Sequence, residues 1–477
     1  MEQCFLGDRV LLEDDYLGPA TLCVDGDGVI TSVTRGRVTP PEGAKVTDFG
    51  PLLVMPGLVD SHVHVNEPGR TAWEGFDSAT RAAAAGGITT IVDMPLNSIP
   101  PTTTPANLEA KLAAAAGQCH VDVAFWGGVV PDNSTCLRPL LAAGLPGFKC
   151  FLIHSGVDEF PHVTADQVET ALQQLQGTGA VLLFHAEVDV GASPPGGDPR
   201  HYSTFLASRP RKMENEAIKI VIEKCQKYGV RCHIVHLSSS DALDMIRECK
   251  ATGAPLTVET CNHYATTCGY LTFQSAEVPD CATQYKCCPP IRETENREAL
   301  WAAVQSGLVD MVVSDHSPCT LDLKQPGVMD FMEAWGGIAS VQFDLPVFWT
   351  EASRRGLSLH DVSRLMSAST ARLAGLGRRK GALRVGLDAD MVVWDPEEEW
   401  TIAEGDIIFK NKISPYLARQ VRGRVHRTIL RGSEIFGSGQ LTSPPAGQKL
   451  LLGPKRDEVP AEAGEDNSTA IEPQTSQ

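Results

Sequence analysis

An α/β fold is predicted: a closed (β/α)8 barrel of the TIM type with a small β-sandwich formed by both chain termini, followed by a disordered C-terminal tail. Three observations lead there. Eight short apolar runs alternate with helical segments through the middle of the 477-residue chain. Short strands and tight turns occupy both ends. No glycine-rich dinucleotide fingerprint follows the first apolar run of the middle, which disfavours a doubly wound open sheet.

Before residue 55 the runs TLCV and VITSV flank DGDG, the signature of a hairpin. The eight strand candidates are then GLVDSHVHV, ITTIVDM, HVDVAFWGGV, GFKCFLI, AVLLFHAE, RCHIVHLS, PLTVETCNHY and VDMVVSDH. Between most of them lie helical segments such as GFDSATRAAAAGG, PANLEAKLAAAAG, ADQVETALQQLQG, NEAIKIVIEKCQKYG, SDALDMIRECKATG and NREALWAAVQSG, repeatedly closed by glycine as a C-cap requires. After about residue 380, ADMVVWDP and RTILRGSEIF return to strands and turns. The expected division is 1–55 and 379–441 for the two parts of the sandwich, 56–378 for the barrel, and 442–477 for a Pro-, Gly- and Glu-rich unstructured tail.

Composition excludes several functions. The formal net charge of −18 leaves no basic footprint for nucleic acid. No apolar run is long enough to cross a bilayer. The opening MEQCFLGDRVLLEDD is acidic where a signal peptide is basic and apolar, so an intracellular location is expected: cytoplasmic, with mitochondrial or peroxisomal alternatives left open. The 14 cysteines are then expected to be mostly free thiols. Cys261, Cys268, Cys281, Cys287 and Cys288 crowd one region, but their spacing fits no zinc pattern of the C-x-x-C kind.

In a barrel of this kind chemistry sits at the C-terminal ends of the strands. The first strand offers His62 and His64, which share a face because alternate residues of an extended chain do. The fourth offers Lys149, the fifth His185, the sixth His236 and the eighth Asp315. Each has a plain alternative, a hydrogen-bonded core histidine for His185 or a helix cap for Asp315. Six such residues at equivalent ends of five strands point to a metal centre instead.

Lys149, inside GFKCFLI, buries an ammonium unless it snorkels to the rim or becomes neutral. A neutral amine can take up CO2 as an anionic carbamate whose two oxygens bridge two cations. The charge count supports this, because two divalent ions among four neutral imidazoles need anions, and Asp315, a Lys149 carbamate and a bridging hydroxide supply three.

GLVDSHVHVNEPG, GFKCF, VHLSS and VSDHSP resemble the cyclic amidohydrolase group of the amidohydrolase superfamily, over residues 1 to about 440. EPGRTAWEGF, DMPLNSIPPT, KCCPPIRETEN, EAWGGIAS and KISPY resemble its allantoinase branch. The resemblance implies a binuclear centre, usually zinc, with His62, His64, carboxylated Lys149 and Asp315 on one ion and Lys149, His185 and His236 on the other. It also implies a small cyclic ureide as substrate, opened at one ring amide of the hydantoin, and commonly a homotetramer. General metal chemistry then makes Asp315 the base and later the acid. Asn97 and the backbone around Cys288 and Gly337 are the substrate contacts it suggests.

Within that group, dihydroorotase relatives carry an arginine where Asn66 stands, and dihydropyrimidinase and hydantoinase relatives a tyrosine where His154 stands; both differences favour the allantoinase branch. Asn262 replaces a usual proline and Cys288 a serine. His263 and His316 are given no ligand role. A scaffold that keeps the fold but loses the metal is the alternative of another class, and it is disfavoured because none of the six positions is lost.

Overall fold

The computed structural model describes residues 2–191, 196–265, 267–268, 271–272 and 278–453. Eight parallel strands form the barrel: β1 (Leu58–Val63), β2 (Ile88–Asp93), β3 (Asp122–Phe125, resumed at Gly127–Gly128), β4 (Gly147–Phe151), β5 (Val181–His185), β6 (Arg231–Ile234), β7 (Leu256–Cys261) and β8 (Met311–Val313). Each pairs with the next, and a parallel bridge between Val63 and His316 closes the ring, reinforced by the His64 N–H donating to the His316 carbonyl at 2.8 Å. The closed parallel barrel is therefore the one the alternating runs predict.

Strand β3 is shared between two neighbours by a break at Trp126. Asp122–Phe125 pairs with β2 and Gly127–Gly128 with β4, while the Trp126 indole donates to the Ser61 carbonyl at 2.9 Å. Side chains are excluded at the two glycines, because a Cβ there would stand 2.5 Å from the ring of Phe148 or Phe160.

Eight helices return the chain between strands or close the barrel: α1 (Phe76–Ala85), α2 (Pro105–Ala114), α3 (Leu137–Ala142), α4 (Ala165–Leu175), α5 (Arg211–Tyr228), α6 (Leu243–Ala251), α7 (Thr294–Gln305) and α8 (Asp344–Arg354). Local signals set their ends. Thr104 caps α2 through the Asn107 N–H, Thr164 and Gln167 form a capping box on α4, and Gly229 ends α5 in the left-handed conformation at φ 61°. No helix among the described residues is long and apolar enough to cross a membrane.

Both chain ends meet in one nine-stranded sheet. The predicted hairpin is present as Leu17–Val24 against Ile30–Arg35. Leu53–Pro56 from the N-terminal part pairs antiparallel with Met391–Trp394, joining the two ends edge to edge. Phe5, Leu22, Val24, Val54, Met391, Val393 and Ile429 pack into a separate apolar core for this sheet.

A buried charge cluster fastens the sheet to the barrel. Lys380 Nζ lies 2.6–2.8 Å from Asp122 of β3, Asp388 and Asp390, and the Arg431 guanidinium also reaches Asp122. Burial, which disfavours the Lys380 ammonium, is outweighed by the three carboxylates, so the charge stays.

Two expectations need correction. Residues 443–453 are not an unstructured tail: the Val123 N–H donates to the Gln448 carbonyl, the Leu450 N–H donates to Val123, and Leu450 is buried. Backbone groups exposed beside β3 find their partners in this segment, a pull that composition does not register. Residues 454–477 lie outside the described residues. Secondly, the seventh strand stops at Cys261, and Asn262–Ala265 form a short helical turn.

Candidate active site

The strand ends deliver their side chains to one place. His62, His64, Asn97, Lys149, His185, His236 and Asp315 line a cavity of about 60 Å³ at the C-terminal mouth of the barrel, together with Cys288, Trp335 and Gly336. An outer lobe of about 370 Å³ shares Phe151, Ser155, His185, Cys288, Trp335 and Gly336 with it. Gly337 does not line the cavity. Its N–H donates to the Lys286 carbonyl, and its own carbonyl accepts from Lys324. His154 stays in the outer lobe, exposed and 3.6 Å from Asp158. Asn66 is buried and donates to the Pro318 carbonyl.

Two carboxylates behind the cavity fix which face of each imidazole points inward. Glu259 accepts from His62 Nδ1 at 2.5 Å, from His233 Nε2 at 3.0 Å and from the His236 N–H at 3.3 Å. With Nδ1 so held, His62 turns Nε2 toward Asp315 Oδ1, 3.2 Å away. Glu187 accepts from His185 Nε2 at 2.7 Å and is paired with Arg209 at 2.5 Å, which leaves His185 Nδ1 to accept from His236 Nε2 at 3.0 Å. His64 directs Nε2 to Asp315 Oδ1 at 3.5 Å, and its Nδ1 meets the Asn97 amide at 3.3 Å. Sequence reasoning missed both carboxylates. A signal existed: Glu187 shares the face of His185, and Glu259 is a lone acid inside the buried run LTVETC.

Burial wins at some of these groups and is outweighed at others. It pushes His64 down to about 4 against the pull of Asp315, and lowers His185 and His236, so these rings are neutral lone-pair donors near pH 7. Burial raises Glu259 and Glu187, but His62 and His233 outweigh it for Glu259 and Arg209 and His185 for Glu187, leaving each near 2. Asp315 is likewise held well below the usual carboxylate range by His62 and His64 despite its burial. Lys149 falls to about 8 through burial, in spite of Glu259 and Asp315, and no carboxylate among the described residues lies within ion-pair distance of it.

These groups fit a divalent metal centre better than a closed hydrogen-bond network. His62 Nε2 and His236 Nδ1 are sealed from solvent with no hydrogen-bond partner among the described residues, and the metal-capable atoms of His62, His236 and Asp315 lie within 4.8 Å of one another. Nitrogen and carboxylate oxygen donors of this kind suit zinc and its neighbours. The backbone is strained where it presents them: Asn66, Asn97, His236 and Asp315 take φ of 66°, 67°, 39° and 45°. At His236 this costs on the order of 1–3 kcal/mol, which surrounding structure must offset, while the asparagines and Asp315 tolerate it better. His316 belongs to the frame, since its Nδ1 accepts from the Ser340 N–H and its Nε2 faces Glu74.

Comparison with known proteins agrees with this geometry. A sequence model of the Amidohydrolase family matches residues 53–435. The chain is 57% identical over 369 residues to "Allantoinase, mitochondrial" of Aquarana catesbeiana, covering 77% of this chain and 74% of that relative. It is 50% identical over 428 residues to the allantoinase of Streptomyces avermitilis, covering 89% and 94%. Among solved structures, the L-hydantoinase (dihydropyrimidinase) from Arthrobacter aurescens superimposes with a TM-score of 0.87 at 28% identity, over 94% of this chain and all of that one. With its barrel, its strand-end histidines and these relatives in agreement, the chain belongs to the amidohydrolase family.

Proposed function

We propose that the protein is a cyclic-amide hydrolase that opens the hydantoin ring of allantoin to give allantoate. The observation that carries this reading is the convergence of His62, His64, Lys149, His185, His236 and Asp315 on one cavity, in a chain whose relatives bear that enzyme's name. His62, His64, Lys149 and Asp315 would hold one divalent ion, and Lys149, His185 and His236 the other. Zinc is the best match to these donors, and two such ions would supply an acidified water and a polarised amide carbonyl.

Lys149 serves as N6-carboxylysine. Its neutral amine forms an N–C bond with CO2 and loses a proton, turning a cation that would repel metal into an anion with two oxygen donors. Asp315 takes the proton from the attacking hydroxide, whose parent water has already released its first proton to solvent, as the new C–O bond forms at the amide carbon. It returns that proton to the ring nitrogen as the C–N bond breaks, giving a carboxylate and a ureido N–H. Asn97 and the backbone at Cys288 would meet the ring, a reading supported by Asn97 and Cys288 lining the cavity, and Gly337 would act through the loop that puts Gly336 on the cavity wall.

Asn66, where dihydroorotase relatives have an arginine, donates to the Pro318 carbonyl and does not line the cavity, so that position offers no cation to a substrate carboxylate. Allantoin should therefore be hydrolysed faster than dihydrouracil or dihydroorotate in a direct assay on all three; the reverse order would move the assignment to a sister enzyme. The reading includes assembly into a homotetramer, for which exposed Leu321, Val328 and Met332 offer apolar surface. Glu259→Gln removes the charge that orients His62. Metal affinity should fall about 10–100-fold, measured by chelator competition, with the fold retained by circular dichroism.

A further inference from the structure

Strand β7 and the turn after it carry two metal-capable side chains, Cys261 and His263, that the reaction above does not use. Glu259 and Cys261 share one face of the strand. Glu259 reaches His62, and Cys261 stands one layer nearer the barrel mouth. The helical turn at Asn262–Ala265 then brings His263 to the same place, so that the ligand atoms of Cys261, His263 and Asp315 lie within 4.8 Å of one another. Cys261 and His263 are fully buried.

An independent observation points to a ligand. Neither ring nitrogen of His263 has a hydrogen-bond partner among the described residues, although the ring is sealed from solvent. Native proteins rarely leave a buried imidazole unmatched on both sides, since each orphaned group costs about 1–3 kcal/mol. We propose that Cys261, His263 and Asp315 form a third metal site, selective for a soft divalent ion such as zinc. Thiolate, imidazole and carboxylate make a tetrahedral zinc set with one position left for water. Ligation releases the Cys261 proton to solvent. Because it shares Asp315 with the catalytic pair, the site fills after that pair, when metal is in excess. Of the five cysteines that crowd this stretch of sequence, Cys281, Cys287 and Cys288 do not join the group, and the side chain of Cys268 lies outside the described residues.

The site has a consequence that rests on the role proposed for Asp315. An ion at Cys261 and His263 draws on the same carboxylate, so excess zinc inhibits ring opening.

Cobalt titration of the metal-stripped full-length chain tests the site. Its six catalytic donors include no thiolate, so a thiolate-to-cobalt charge-transfer band reports the third site alone. The band should appear after the first two equivalents, vanish in Cys261→Ser and in His263→Asn, and survive in Cys288→Ser. Cys261→Ser should keep its basal activity and tolerate about tenfold more zinc. Absence of the band, or its survival in Cys261→Ser, overturns the site. A band without zinc inhibition keeps the site and overturns the link through Asp315.

Discussion

Lys149→Ala is expected to leave the protein folded, empty of catalytic metal and without measurable ring-opening activity. The lysine is 1% exposed, its charge is disfavoured by burial, and no acid pairs with it among the described residues. Alanine therefore costs little in ion pairing. On the proposed carbamate reading it removes the anion that would offset two divalent charges otherwise faced by Asp315 and neutral imidazoles. Metal content should fall from about two ions per chain to well under one. A short carboxylic acid such as acetate or propionate, small enough for the vacated space, should restore part of both metal and activity. Unchanged metal content in Lys149→Ala would refute the carbamate.

Asp315→Asn should give the second largest effect, a folded protein slowed on the order of 10²–10⁴-fold by the loss of proton transfer alone. Asparagine preserves the shape beside His62 Nε2 and His64 Nε2 but cannot take a proton from water near neutral pH. The residue is also held at φ 45°, a left-handed conformation that asparagine tolerates well, so the backbone should survive the change. Steady-state kinetics alongside metal analysis separates the two roles of the side chain. Turnover within a few-fold of the parent, with both ions retained, would remove Asp315 from the proton path.

Much of this was legible in the sequence because strands have a fixed period. His62 and His64 announce a shared face by their spacing, and Lys149, His185 and His236 are polar residues that end or interrupt apolar runs. All are found at the cavity. What was not legible depends on contacts between distant segments. Glu259 matters because it meets His62, 197 residues earlier, and strand β7 had offered no functional candidate until that meeting was seen. Gly337 and Gly336 sit in a loop with no period, so only the bonds to Lys286 and Lys324 decide which of them faces the cavity. The segment 443–453 reads as unstructured by composition and is ordered by backbone pairing to β3.

The account turns on a carboxylated Lys149 holding a pair of divalent ions, and the most direct test is carbon-13 NMR of protein reconstituted with zinc and ¹³C-labelled bicarbonate, read with metal content on the same sample. One carbamate resonance per chain, two bound ions, and loss of both in Lys149→Ala are predicted. A free amine at Lys149 in fully active, metal-loaded protein would contradict it.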